Sequence, residues 1–255
     1  MNVYIAGVTG ERQYVKSLNS FHALKLSPGD VPRMLDEVTR GDVARMTFCD
    51  DFLDGEEDAI AFLDVDMVHP PDLIERLKSH NVDMVTAHYW KRQPRMESVC
   101  GTSPDGTWPY LPLDVMSLPS KGLVEIASTG LGAVLIKREV IETVKRSLPE
   151  TDHPFALGPH PEMVNSDVVM GSDMRFFHEA RKAGYKLWLD CELESLHGVP
   201  IWLSTDLYKR LREPKWELEQ AKRLLYAAKA THGENNKTAI IQDKITQLER
   251  EVHGN

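Results

Sequence analysis

Apolar and polar positions along the chain fall into blocks of changing period, and the blocks predict alternating strands and helices. Val3-Tyr4-Ile5-Ala6-Gly7 is an apolar run closed by a Gly/Thr turn, as expected of a short buried strand. Residues 11–25 predict a helix, 26–33 a loop and 34–38 a second short strand. Asp42 can cap a helix running to Leu53, with Val43, Met46 and Phe48 as apolar positions. Residues 59–63 are continuously apolar, the pattern of a parallel strand buried on both faces, and they stop abruptly at Asp64-Val65-Asp66. Pro70-Pro71 then opens a helix to Ser79, because proline is tolerated in a first helical turn. Residues 82–88 follow as a strand, completing a βαβ unit with a right-handed crossover.

Residues 92–122 carry five prolines and no sustained period, so they predict an irregular loop with a short hairpin. A strand over 132–137, a helix over 138–148 and a Pro/His/Asp-rich loop over 149–170 come next. The helix over 173–183 is closed by Gly184 as a left-handed cap, and a last strand over 185–189 leads to His197. From 205 the character changes to two charged amphipathic helices, 216–229 and 238–253. Ile241, Ile245, Leu248 and Val252 form a heptad-like stripe in the second. The organisation expected is one α/β domain over 1–204 with a helical extension over 205–255, packed on the core or used for self-association.

Composition narrows the classes. With 42% apolar and 27% charged residues the chain is globular rather than disordered. A net charge of −9 and a pI near 5.6 argue against a protein that coats nucleic acid. Cys49, Cys100 and Cys191 lie far apart without a CxxC pattern, which suggests reduced thiols in the cytoplasm. The opening apolar run of about five residues is too short for the core of a signal peptide. No window approaches the roughly 18 apolar residues of a transmembrane segment.

Chemistry concentrates at the end of the apolar strand. In open α/β sheets ligands sit at the carboxyl ends of strands, where Asp64 and Asp66 are expected. Two hard carboxylates suit Mg2+ or Mn2+ shared with phosphate oxygens; the plain alternative is a pair of acids capping the following helix. Ser128-Thr129-Gly130-Leu131-Gly132 offers small residues that let backbone approach a ligand, which marks Gly130. Gly171-Ser172-Asp173 places an acid at a helix start, where it can act as a cap, a base, or both. Ten histidines form no i, i+4 zinc pair, and no G-x-S-x-G elbow occurs.

The blocks FLDVDMVHPPDLIERL, STGLGAVLIKREVI, GSDMRFFHEARKAGYKLWLD and LHG, in this order over 59–198, resemble the GT-A glycosyltransferases, notably family 2-like enzymes of bacteria and phages. A looser match covers 1–55, and the tail lies outside it. The resemblance implies a GT-A, Rossmann-like, mostly parallel sheet flanked by helices. It also implies a transferase of the hexosyltransferase class that moves a sugar from a nucleotide-sugar donor. Asp64, Asp66 and the late His197 would hold Mn2+ (or Mg2+). Asp173 would be the base of an inverting enzyme, or orient substrates in a retaining one; Ser172 stands where relatives carry Glu. Gly7 and Thr9 would line the base or ribose, and Arg45 would touch the nucleotide. Lys91 and Arg92 would meet the diphosphate, unless they are merely a strand-end charge cluster. The acceptor stays open among a glycan, a lipid-linked sugar, a protein and modified DNA. A nucleotidyltransferase acting on a sugar phosphate, and a catalytically silent binding module, are the competing readings.

Overall fold

Two apolar clusters, one on each face of a central sheet, account for the architecture. The computed structural model describes residues 1–8, 15–35, 40–92, 97–103, 110–159, 169–198, 218, 221–226, 228–229 and 236–253. Seven strands form the sheet: β1 (Val3–Val8), β2 (Val31–Leu35), β3 (Ala59–Asp64), β5 (Met84–His88), β8 (Leu123–Ile126), β9 (Ala133–Lys137) and β12 (Leu187–Glu194). Their order is β2-β1-β3-β9-β5-β12-β8. β2, β1, β3, β5 and β12 run in one direction, and β9 and β8 run against it. The sheet is therefore mixed but mostly parallel.

The βαβ unit exists, but its strands are not neighbours. β9 inserts between β3 and β5, pairing antiparallel with both. Helix α3 (Leu73–Ser79) makes the crossover, burying Leu73, Ile74 and Leu77 on the face that also holds Val3, Ile5, Ala61 and Leu63. The opposite face buries Tyr4, Phe62, Val134 and Ile136 against α2 (Gly41–Asp54), α4 (Arg138–Ser147) and α5 (Ser172–Lys182). Because successive strand residues point to opposite faces, a strand covered on both sides must be apolar throughout, which explains residues 59–63.

Several boundaries differ from expectation. α1 spans Val15–His22, and β2 begins at Val31, inside the predicted loop. Asp42 lies within the first turn of α2 rather than capping it; its carboxylate accepts from the Arg40 guanidinium instead. α3 starts three residues after Pro70, whose carbonyl accepts from Leu73 N–H. β8 was not predicted at all: LVEI is short and half-polar because it is an edge strand exposed on one side. The predicted hairpin is present as β6 (Gly101–Thr102) paired with β7 (Leu111–Pro112). β10 (Gly158–Pro159) pairs with β11 (Val169–Met170).

Gly184 has φ +95° and closes α5 as expected. Tyr185 N–H reaches the Ala180 carbonyl and Gly184 N–H the Arg181 carbonyl, the paired bonds of a Schellman motif. The C-terminal helix Asn236–His253 buries Ile241, Ile245 and Leu248 with Leu218 and Ala228 in a third apolar cluster. Among the described residues no helix is long and apolar enough to cross a membrane.

Candidate active site

β3 ends at Asp64, and the chain turns through Val65 and Asp66 into β4 (Met67–Val68). The turn is held from three sides. Val65 N–H donates to the Val8 carbonyl and Asp64 N–H to the Gly132 carbonyl. The buried His69 ring lies 3.1 Å through Nε2 from the Asp64 carbonyl and 3.0 Å through Nδ1 from Ser195 Oγ. Burial pushes His69 down to about 4, so the ring is neutral and serves as a fixed spacer.

Backbone pairing delivers the late histidine. β13 (Leu196–His197) runs antiparallel to β4, with His197 opposite Met67, and Gly198 N–H donates to the Asp66 carbonyl. His197 Nε2 then stands 3.7 Å from Asp66 Oδ1. Its Nδ1 donates to the Trp90 carbonyl at 2.9 Å, which leaves Nε2 as the accepting nitrogen, and Arg92 Nε donates to it. Burial lowers the His197 pKa, and Arg92 lowers it further, against opposing effects of the Trp90 carbonyl and Asp64. Asp66 is 5% exposed, and its Oδ1 is buried without a hydrogen-bond partner among the described residues. A buried, unpartnered carboxylate oxygen beside a neutral imidazole, itself oriented by a backbone carbonyl, is a donor set that fits a divalent cation.

Asp64 takes a different direction. Its Oδ1 lies 3.4 Å from an Arg45 guanidinium nitrogen, and its Oδ2 crowds Gly132, where a Cβ would come within 2.9 Å. Asp66 and His197 are thus brought together, and Asp64 is paired with Arg45. Among the described residues no group of three His, Cys, Asp or Glu side chains is arranged to hold an ion. Arg92 meets the same pair: its guanidinium contacts Asp66 Oδ2, and its Nε donates to His197 Nε2 at 2.5 Å.

Beside this lies a cavity of ≈ 260 Å³ lined by Lys91, Tyr110, Ser128, Thr129, Gly130 and Asp173, among others. Asp173 sits in the first turn of α5, where Oδ1 accepts from Met174 N–H at 2.8 Å; the cap position belongs to Gly171. Ser172, in place of the expected acid, is buried. Lys91 Nζ is paired with Glu97 at 2.8 Å. The Tyr110 hydroxyl meets His178 Nδ1 at 3.2 Å.

Tyr89 joins the two halves of the site. Its ring meets His197 edge-on at 5.9 Å, and its hydroxyl accepts from Gly132 N–H at 3.0 Å. A Cβ on either Gly130 or Gly132 would strike that hydroxyl, so the glycine pair of STGLG makes room for Tyr89. Burial, then the nearby Asp64 charge, pushes the Tyr89 hydroxyl well above its usual value. Two glycines spaced by two, facing an aromatic at the end of the neighbouring strand, was the available signal. Gly7 has a packing role: a Cβ there would come within 2.9 Å of the Phe21 ring and 3.0 Å of Met34. Thr9 lies outside the described residues.

No family model matches the chain, and no curated protein matches it in sequence. Solved structures do. One is A197 from STIV, at 18% identity over 78% of this chain and 87% of that one, with a TM-score of 0.48. Another is S. aureus TarS 1–349 in complex with UDP-GlcNAc, at 9% identity over 98% of this chain and 73% of that one, TM-score 0.45. A third is GalNAc-T7 with UDP, GalNAc and Mn2+, at 10% identity and a TM-score of 0.50. It covers 99% of this chain, which spans 56% of that protein's length. At such identities the likeness speaks for the fold, and the fold is GT-A-like.

Proposed function

We propose that the protein is a metal-dependent glycosyltransferase that moves a sugar from a nucleotide-sugar donor to an acceptor hydroxyl. The observation that carries this reading is the Asp66–His197 pair, with its unpartnered carboxylate oxygen, at the strand-end turn of a GT-A-like sheet. GalNAc-T7 was crystallised with UDP and Mn2+, which supports the same direction. Asp66 and His197 would hold Mn2+ or Mg2+, with Asp64 near enough in sequence to join through a rotamer change. The ion would supply neutralisation of the departing diphosphate.

The protein's own groups divide the remaining work. Arg45, held against Asp64, would meet the ribose or base end of the donor, the region the resemblance also gives to Gly7 and Thr9. Lys91 and Arg92 offer positive charge to the diphosphate, and Gly130 lets backbone approach the donor sugar. The Asp173 oxygen not used by Met174 N–H would take the acceptor proton as the hydroxyl attacks the anomeric carbon. Replacing Asp173 by Asn is expected to slow transfer about 10²- to 10⁴-fold with donor binding retained. We assign the catalytic unit to 1–204 and treat 205–255 as an appended helical element, supported by its separate apolar cluster. Burial pushes the Cys49 and Cys100 thiols up to about 12, so they are unreactive packing groups; the unpaired, widely spaced cysteines support the cytoplasmic setting.

The test is thermal unfolding with UDP-, GDP-, CMP- and dTDP-sugars, with and without Mn2+, on wild type and D66A. One nucleotide class should stabilise the protein only when both Mn2+ and Asp66 are present. A shift with a nucleoside triphosphate and none with a nucleotide-sugar would replace this reading by a nucleotidyltransferase. The silent-module reading draws on the Arg92 contact at Asp66, and it predicts no shift with any donor.

A further inference from the structure

Arg92 bonds to the same two side chains that would hold the cation, which the proposed donor-binding role does not explain. The root of its segment is fixed: Trp90 bridges Ser98, and Lys91 N–H donates to the Glu97 carbonyl. The guanidinium at the other end reaches the buried pair from a half-exposed position, with a side chain 39% exposed against 7% for Asp66. A divalent cation entering between Asp66 and His197 meets the guanidinium charge at contact distance.

We propose that Arg92 is a resident counter-cation of the Asp66–His197 pair, which competes with the divalent metal and must leave before the metal can be held. The inference rests on the metal-dependent reading above. It adds that the free protein binds the bare cation weakly by construction. The geometry supports this in two ways. Nε2 of His197 accepts from Arg92 through the lone pair a metal would use. Asp66 has one oxygen engaged by the guanidinium and the other unpartnered, so the carboxylate is only half satisfied. Arg92 therefore neutralises the buried carboxylate without satisfying it, and a stronger ligand can displace it. A diphosphate presents the bidentate oxygens to which the fork can transfer. Metal and donor then favour one another by the same factor, since linkage is reciprocal.

The deciding experiment titrates Mn2+ alone into the full chain and follows the free ion by electron paramagnetic resonance. Wild type, R92M, R92K, D66A and the double variant R92M/D66A are compared, and thermal unfolding verifies that each is folded. R92M is expected to bind Mn2+ about 5- to 150-fold more tightly than wild type, the usual span of a site–site coupling. R92K, which keeps the charge, should stay close to wild type, and D66A should lose the site. If R92M binds Mn2+ no better than wild type while D66A loses binding, Arg92 is not a competitor and the metal reading stands. If the double variant R92M/D66A binds Mn2+ as R92M does, the metal reading falls and takes this inference with it.

Discussion

Two aspartates are buried in this protein, Asp66 in the turn after β3 and Asp190 within β12, and they are treated in opposite ways. Asp190, in β12, is 1% exposed and has every lone pair engaged. Arg76 from α3 donates to both its oxygens at 3.1 and 3.0 Å, His80 meets Oδ2 at 2.9 Å, and Glu192 N–H donates to Oδ1 at 2.9 Å. Asp66, 5% exposed, has one oxygen on Arg92 and one with no partner among the described residues. Burial of a carboxylate is costly unless it is paired and hydrogen-bonded. Asp190 meets that condition and fastens α3 to the sheet. Asp66 does not meet it, and an incompletely satisfied buried charge is more useful to a ligand than to the fold.

The comparison breaks most sharply on substitution. D190A leaves Arg76 and His80 facing a vacated position. It is expected to cost about 3 kcal/mol of unfolding free energy, the low end for breaking a buried pair because Arg76 is one-third exposed. Urea denaturation measures it, and a loss below about 1 kcal/mol would mean that Asp190 holds nothing together. D66A should do the reverse. Without ligand its stability is expected to stay within about 1 kcal/mol of wild type, because an unsatisfied oxygen is removed along with the ion pair. With metal saturating and donor near a hundredfold over its Kd, it should forgo the roughly 2.7 kcal/mol that wild type gains from donor binding. If D66A unfolds as D190A does, the two carboxylates are alike and both are structural.

A third substitution sharpens the boundary between packing and site. At Gly132 a Cβ would press on Asp64 Oδ2, Met67 Sδ and the Tyr89 hydroxyl at 2.9 to 3.0 Å. G132A is therefore expected to cost about 1–3 kcal/mol by overpacking and to disturb donor binding at the same time. G184A should also destabilise, through its φ of +95°, without touching the site. Equal donor affinity in both variants would separate Gly132 from the site.

The legibility of these features in the sequence follows from the range of the forces involved. The apolar run 59–63 ending in Asp-Val-Asp is a local pattern, and it marked the turn correctly. Such a run is blind to direction, so it could not show β9 lying antiparallel between β3 and β5. Gly184 was legible because the backbone geometry it permits is intrinsic to the residue. Tyr89 filling the space over Gly130 and Gly132, 41 and 43 residues away, leaves only a faint mark in either segment. Asp66 and Asp190 both follow apolar strands, so they look alike in sequence. What separates them is Arg76, His80 and Glu192 hydrogen-bonding one, while among the described residues the other has the Arg92 guanidinium on one oxygen and His197 no nearer than 3.7 Å to the second.

The smallest effect expected is the pH dependence of Asp190. Burial raises its carboxyl pKa, but the His80 contact, the Glu192 N–H and Arg76 together outweigh burial and hold it below the usual carboxylate value. A group whose pKa is depressed by folding contributes stability in full above the unfolded value, near 3.9, and loses it as pH falls through the folded value. The difference in unfolding free energy between wild type and D190N should therefore be level from about pH 7 to pH 5 and narrow only below about pH 4. Urea midpoints at half-unit steps would follow it. A gap that closes already between pH 7 and pH 5 would mean that folding does not depress the Asp190 carboxyl, and the contrast with Asp66 would then rest on geometry alone.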